Sequence, residues 1–251
     1  MHHSNAGPEY PTLKNPPIIE GLLDLQFDLE PSMLSRIESL GVCLPDYPNK
    51  APKIAVAGNV QLGDSGASFS HDRNVVGYQF WNNDKTRVFQ ARLNGITLSF
   101  LKPYTRFEDL EAEARRLWGL FCSRLERPIV KRVALRYINH IDLPLPFEDF
   151  RELIKTFPEI PPAIPQGIAE FFMRLVIPDP DSSCTAIVTE VMEKQTRARS
   201  TIPLLLDIDV FQVPKDNHDD RLWAIVQELR EYKNRIFFNS VTPRLMKVFD
   251  E

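Results

Sequence analysis

Alternating hydrophobic and polar positions mark the first strand of the chain. From Ile19 to Leu29, leucine and phenylalanine alternate with aspartate and glutamine, which is the two-residue period of a strand that buries one face. Later, Asn94-Gly95 separates the segments 86–93 and 96–101, and this dipeptide can adopt the positive φ angles of a type I′ hairpin turn. Together with the run 75–81, these segments predict three consecutive antiparallel strands.

Two longer segments instead show the spacing of amphipathic helices. The first follows a Thr105-x-x-Glu108 capping box, and the second starts near Asn217. The expected buried positions are Leu110, Ala114, Leu117, Trp118, Phe121 and Leu125 in the first helix, and Leu222, Ile225, Val226, Leu229 and Ile236 in the second. Short helices are expected after Pro31, ending at Gly41, from Phe147 to Thr156, and after Thr242-Pro243; residues 43–52 are expected to form a loop.

Further strand patterns occupy 130–143, 170–177, 185–193 and 201–212. Because strands follow one another without a helix between each pair, the order favours an α+β fold over a doubly wound one. We expect an antiparallel sheet, or two, with the long amphipathic helices packed on one face. Each half runs through strands into one long helix, which suggests that a strand-meander-plus-helix unit is duplicated.

Prolines indicate where the halves meet. Four of them, Pro158, Pro161, Pro162 and Pro165, stiffen a segment that lacks any periodicity. The predicted organisation is therefore a flexible lead-in over 1–17, a first half over 18–156, a proline-rich connection over 157–167, and a second half over 168–251 packed on the first.

Composition narrows the function classes. The 34 acidic residues outnumber the 30 basic ones, giving a net charge of −4, so binding to nucleic acid is disfavoured. No apolar run approaches the roughly 20 residues of a membrane helix, and the amino-terminal residues have no apolar export signal. Three widely spaced cysteines, Cys43, Cys122 and Cys184, favour neither a disulfide framework nor a zinc site. We therefore expect a cytoplasmic protein that does not contact a membrane.

Three motifs resemble a known family. The segments NPPIIEGLLDLQF (15–27), RYINHIDLP (136–144) and LREYKNRIFFNSVTPRL (229–245) resemble a sporadically distributed family of uncharacterised prokaryotic proteins of about 250 residues. The resemblance spans nearly the whole chain and implies no catalytic residues. A sporadic distribution is common among mobile, accessory or defence-linked genes.

The polar side of two strands supplies the candidate binding residues. Arg136, His140 and Asp142 share one face of the strand 130–143, where histidine beside a carboxylate can act as a base and arginine can hold an anion. Asp207 and Asp209 share one face of the strand 201–212 and could bind a divalent cation, with Glu190 or Glu193 as a third ligand. A solvated sheet face with cross-strand ion pairs, involving Arg174, Arg197 or Arg199, explains the same residues.

Other motifs are better explained by structure than by chemistry. Ser65 in Gly63-Asp64-Ser65-Gly66 lacks an upstream catalytic base and is interpreted as part of a turn. His2 and His3 lie in the lead-in, and no zinc-binding spacing follows them. The aromatic residues Tyr78, Phe80 and Trp81 are interpreted as core rather than as a base-stacking platform.

The chain is therefore predicted to be an accessory binding or interaction protein without a cofactor or bound metal, rather than an enzyme. Its partner would be another protein or a small ligand, and its oligomeric state is open. The alternative is a metal-dependent or His/Asp-assisted hydrolase, and a nucleic-acid module ranks third. Residues 245–249 are expected to pack on the protein's own core, with docking of a partner as the alternative.

Overall fold

The structure is a computed structural model that describes residues 10–63, 66–193, 200–216 and 218–250, and only the backbone of 56–63 and 66–72. Within these ranges the strands are β1 (Ile18–Gln26), β2 (Asn49–Gly63), β3 (Gly66–Trp81), β4 (Arg87–Arg92), β5 (Gly95–Leu101), β6 (Arg132–Pro144), β7 (Phe171–Pro178), β8 (Thr185–Met192) and β9 (Thr201–Gln212). The α-helices are α1 (Leu34–Ser39), α2 (Phe107–Arg124), α3 (Asp219–Ser240) and α4 (Pro243–Val248).

The predicted α+β class is wrong, because one antiparallel sheet dominates the protein. All nine described strands belong to that sheet, in the order β2-β3-β4-β5-β1-β6-β9-β8-β7, and strands contain more of the described residues than helices do. The protein is therefore mostly β. The duplicated unit is wrong for the same reason, since the strands do not form two repeated sheets. The helical spacing correctly located α2 at 107–124 and α3 at 219–240. The prediction was wrong in giving helices a larger part of the fold than they have.

The first compact unit comprises the described residues within 1–22, 102–104 and 132–251. Its neighbouring strands β6, β9, β8 and β7 pair antiparallel with continuous registers. The apolar stripe of α3 packs on β6 and β9, burying Leu222, Ile225, Val226 and Leu229. Thr242 caps α4 by accepting a hydrogen bond from the backbone N–H of Leu245 at 3.3 Å, as the Thr-Pro dipeptide predicted.

The second unit comprises residues 23–101 and 105–131. The predicted hairpin is present as β4 and β5, but the turn is one residue earlier than expected: Leu93 and Asn94 form it, and of Asn94 and Gly95 only Gly95, with a φ of +147°, has a positive φ. A Cβ atom there would lie 2.6 Å from the carbonyl oxygen of Leu25, so glycine is required. The capping box is wrong: α2 begins at Phe107 after Arg106, whose side chain makes no capping hydrogen bond.

Several other expectations on the secondary structure need correction. Residues 49–63 form β2, although we expected residues 43–52 to be a loop and predicted no strand between them and residue 75. β3 begins at Gly66, well before the predicted run 75–81. The helix predicted over 147–156 is a single 3₁₀ turn at Phe150–Glu152, followed by a bridge from Ile154 to Val241. Asp64, Ser65, His2, His3, Arg197 and Arg199 lie outside the described residues, as does the predicted helix start at Asn217. Phe80 is fully buried and stacks on Phe89, as expected for core.

None of the helices in the described ranges combines the length and apolar composition that a membrane span requires.

Candidate functional site

The predicted site residues lie on the face of β6, β9, β8 and β7 that points away from α3. We call it the open face. Alternation along β6 and β9 sends most of their apolar residues towards α3 and sends their arginine and aspartate residues to the opposite side. The open face consists of Arg132, Ala134, Arg136, Ile138, His140 and Asp142 of β6, Leu205, Asp207, Asp209 and Phe211 of β9, Thr185, Ile187, Thr189 and Val191 of β8, and Phe172, Arg174 and Val176 of β7.

Two ion pairs organise the centre of the open face. The Arg136 guanidinium binds both carboxylate oxygens of Asp207, with Nε to Oδ1 at 2.8 Å and Nη2 to Oδ2 at 2.6 Å. Arg132, which the sequence analysis did not select, donates to Asp209 at 2.9 Å and lies over the Phe211 ring. The hydrogen bond with Asp207 raises the pKa of Arg136. Burial raises the pKa of Asp209, although the charges of Arg132 and Arg136 act to lower it. These four residues therefore neutralise one another.

His140 and Asp142 lie farther along β6 and do not join this cluster. Their closest approach, from Nδ1 to Oδ2, is 4.0 Å, and both side chains are largely exposed. Asp142 also accepts a hydrogen bond from Thr201 at 3.4 Å. The structure thus brings Arg136, Asp207 and Asp209 together and leaves His140 and Asp142 apart from them.

The open face is not arranged as a metal site. Glu190, one of the two suggested third ligands, is on the opposite face of the sheet from Asp207 and Asp209, because it alternates in phase with Val188 and Met192. Glu193, the other, lies opposite Pro203, four residues from Asp207 along β9. Across the described part of the chain, no three histidine, cysteine, aspartate or glutamate side chains group closely enough to hold a metal ion. Each carboxylate is instead paired with an arginine of the neighbouring strand, and such pairs stabilise the cross-strand register.

The outer edge of the open face is apolar and unpaired. β7 is the last strand in the sheet order, and no described strand pairs with its outer side. Phe172 and Val176 are 70% and 56% exposed, and Arg174 is exposed between them. No ion pair joins Arg174 to any described residue. Asp207, for which the sequence suggested Arg174 as a partner, is paired with Arg136. This edge therefore presents two large apolar side chains around one available cation.

A second polar cluster lies on the face that α3 covers. The hydroxyl groups of Tyr104 and Tyr137 are 2.6 Å apart, and the Lys233 amine lies 4.0 Å from the centroid of the Tyr137 ring. Gly21 makes this packing feasible, because a Cβ atom there would lie 2.7 Å from the Tyr104 ring. We call these four residues the lysine–tyrosine cluster. Gly21, Tyr137 and Lys233 each come from a different one of the three motifs noted in the sequence.

Burial changes the ionisation of Lys233. Although part of the side chain reaches the surface, desolvation lowers the pKa of its amine to about 7, with Arg230 lowering it further and Glu231 raising it. The amine donates a hydrogen bond to Asn234 Oδ1 at 2.5 Å. A substantial fraction of Lys233 is therefore a neutral amine near pH 7.

Glu190 is a third buried polar group on the covered face. It is 1% exposed, and neither of its carboxylate oxygens has a hydrogen-bond partner among the described residues. Burial raises the pKa of Glu190 to about 7. Leu206 separates it from Asn139, whose amide group donates to the carbonyl oxygen of Leu206 at 3.0 Å.

Hydrophobic periodicity in the sequence could have identified both Lys233 and Glu190. Lys233 lies four residues after Leu229 and seven after Val226, so it falls within the apolar stripe of α3. Glu190 similarly falls on the apolar side of the alternation through β8. A charged residue at a position where the period requires an apolar one is the pattern that would have identified them.

No protein-family model matches the chain, and a search of curated proteins gives no match. The function is therefore inferred from the geometry of its own side chains.

Proposed function

We propose that the protein is a binding protein that recruits an extended segment of a partner protein onto the outer edge of β7. The observation that carries this proposal is the exposed apolar edge formed by Phe172, Arg174 and Val176. A strand at the end of a sheet offers unpaired backbone donors and acceptors, so a partner strand can extend the sheet.

The backbone of β7 is oriented for this pairing. The N–H of Asp179 donates to the carbonyl oxygen of Cys184 at 2.8 Å, so these residues form a hydrogen-bonded pair. Such pairs alternate along antiparallel strands, which directs the backbone groups of Phe172, Arg174 and Val176 away from β8 and towards the free edge. The same residues that project onto the open face thus also present their hydrogen-bonding groups.

The opposite edge of the sheet differs in its protection. β2 carries Lys50, Pro52 and Lys53, and lysine and proline are residues that discourage strand pairing at an edge. β7 has only Arg174 among its apolar residues, and its proline is at the end of the strand. This contrast favours β7 as the docking edge.

The side chains of the edge indicate the chemistry of the partner. Alternate residues of an added strand would contact the open face beside Phe172 and Val176, where apolar side chains bury the most surface. An acidic residue between them would pair with Arg174. The partner segment is therefore an extended one in which an aspartate or glutamate is flanked, two residues away on each side, by apolar residues.

Selection from a displayed library of random twelve-residue peptides tests this assignment. The full-length protein should enrich peptides with the apolar–acidic–apolar alternation. Arg174→Glu should weaken their binding about threefold to tenfold, and changing the acidic residue of the peptide to lysine should restore it, because the charges are exchanged across one pair.

Matched valine variants separate edge docking from general hydrophobic adhesion. Val176→Thr removes apolar surface from the edge and should weaken the same peptides, whereas Val42→Thr makes the same change at a residue that is 89% exposed elsewhere and should have no effect. Three results would contradict recruitment of a partner segment. These are a selection that enriches no such pattern, equal binding of the peptides by the wild-type protein and Arg174→Glu, and self-association of the wild-type protein through this edge that is lost in Val176→Thr.

We also propose a cytoplasmic location for this activity. Cys43, Cys122 and Cys184 form no disulfide with one another, and Cys184 is buried, as suits a reducing compartment. Labelling the thiols of protein freshly released from cells under denaturing conditions should find all three reduced, and a disulfide between any two would contradict this location.

A further inference from the structure

The lysine–tyrosine cluster has no role in docking at β7, yet among the described residues it contains the lysine whose pKa is lowered most. Lys233 occupies a position within the apolar stripe of α3, and its amine lies 4.0 Å from the centroid of the Tyr137 ring. A lysine needed only for solubility would lie on the exposed side of the helix. Its position therefore calls for another explanation.

The side chains around the Lys233 amine are held in place by packing and hydrogen bonds. Tyr137 is buried and fixed by the hydrogen bond to Tyr104, and their rings meet edge to face with centroids 5.4 Å apart. Gly21 provides the space in which the two rings meet. On α3 itself, Arg230 and Glu231 are the charged groups that act on the amine, and the facing strand contributes the uncharged phenol of Tyr137.

Two side chains of the cluster reach the protein surface. Both Tyr104 and Lys233 are only partly buried, while Tyr137 between them is buried. A ligand entering beside Tyr104 would meet aromatic surface, a pair of hydroxyl groups and an amine within one small region. Aromatic surface favours a ligand with an apolar or aromatic body.

We propose that Lys233 is a nucleophilic amine that captures the carbonyl group of a small apolar or aromatic aldehyde as an imine. The lone pair of the neutral amine attacks the carbonyl carbon and forms a carbon–nitrogen bond. The resulting carbinolamine then loses its oxygen as water, which carries away both amine protons, and a carbon–nitrogen double bond remains. No oxidant or reductant takes part. We assign the relay of these protons to the hydroxyl groups of Tyr104 and Tyr137, which belong to the same cluster.

Reductive trapping tests the proposal on the full-length protein. Benzaldehyde and cyanoborohydride are added across pH 6 to 9, and peptide mass spectrometry measures the rate at which each lysine is benzylated. At pH 7, Lys233 should react about tenfold or more faster than the exposed Lys85 and Lys102, because its neutral fraction is far larger. Its rate should level off above pH 7, whereas those of the exposed lysines should keep rising.

A conservative variant distinguishes a reactive site from a structural contact. Tyr137→Phe keeps the ring under Lys233 but removes the hydroxyl group, so trapping should slow without loss of folding, as judged by circular dichroism. The proposal is overturned if Lys233 is trapped no faster than Lys85 and Lys102, or is trapped only after denaturation. An unchanged rate in Tyr137→Phe would overturn the proton relay.

Discussion

Glu190 and Lys233 show how individual buried ions shape the stability of the first unit. The pKa of Glu190 is raised to about 7 from 4.5, so the stability it contributes is present below pH 4.5 and is lost as the pH rises through 7. The pKa of Lys233 is lowered to about 7 from 10.5, so its contribution is lost as the pH falls from 10.5 through 7. Together the two groups reduce stability most near neutral pH.

Glu190→Gln should remove the acidic part of this pH dependence. The wild-type protein loses about 3 kcal/mol of unfolding free energy from Glu190 between pH 4.5 and 8, following from a pKa of about 7. The amide cannot ionise, so the unfolding free energy measured with urea should fall from pH 5 to pH 7 in the wild-type protein and stay nearly constant in the variant. Glu193→Gln, an exposed change just beyond the same strand, is the control and should keep the wild-type decrease. An undiminished decrease in Glu190→Gln would contradict the burial of the charge.

At the scale of elements, the end of α3 and the start of α4 depend on one threonine. Thr242 caps α4 and also donates a hydrogen bond from its hydroxyl group to the carbonyl oxygen of Glu152 at 2.7 Å. Its backbone N–H donates to Leu153. These bonds join the carboxyl-terminal helix to the 3₁₀ turn at 150–152, the segment that the sequence had suggested to be a longer helix.

Thr242→Ala should therefore destabilise the protein by about 1–2 kcal/mol, since a helix cap and a second hydrogen bond are lost together. Thr105→Ala provides a matched control, because Thr105 was expected to cap α2 but α2 begins beyond it. Its effect should stay within about 0.5 kcal/mol. Equal losses in the two variants, measured by urea unfolding, would contradict the observed cap positions.

Local sequence patterns located some elements well because the responsible forces are local. The Asn94-Gly95 hairpin and the cap of α4 depend on a few adjacent residues, and β9 spans the residues expected for it. β2 was missed because it contains Pro52 and is stabilised mainly by its partner β3. The helix at 147–156 was wrong because contacts with the residues after α3 determine the backbone there.

The candidate site was predictable only in part, for the same reason. Alternation correctly placed Asp207 and Asp209 on one face of β9 and Arg136 on one face of β6 with His140 and Asp142. The register of β6 with β9 then brings both Arg136 and Arg132 to the two aspartates. The lysine–tyrosine cluster joins β1, β6, α3 and the residue Tyr104, which lie far apart in the sequence. A single sequence specifies such contacts but does not display them as a spacing.

At the scale of the whole molecule, the sheet order determines which strand is free to pair. Nine described strands leave β2 and β7 as the terminal strands, and only β7 combines exposed apolar side chains with an available arginine. The account of function therefore depends on the outer edge of β7 accepting another strand.

Amide hydrogen exchange tests that dependence most directly. On adding a peptide enriched in the library selection, the backbone amides of Phe172, Arg174 and Val176 should exchange at least about tenfold more slowly, because they gain hydrogen bonds. The amides of Met173 and Leu175, which alternate with them and point towards β8, should change little. Protection confined to another surface, or unchanged exchange at all three edge amides with the peptide bound, would contradict docking by strand addition.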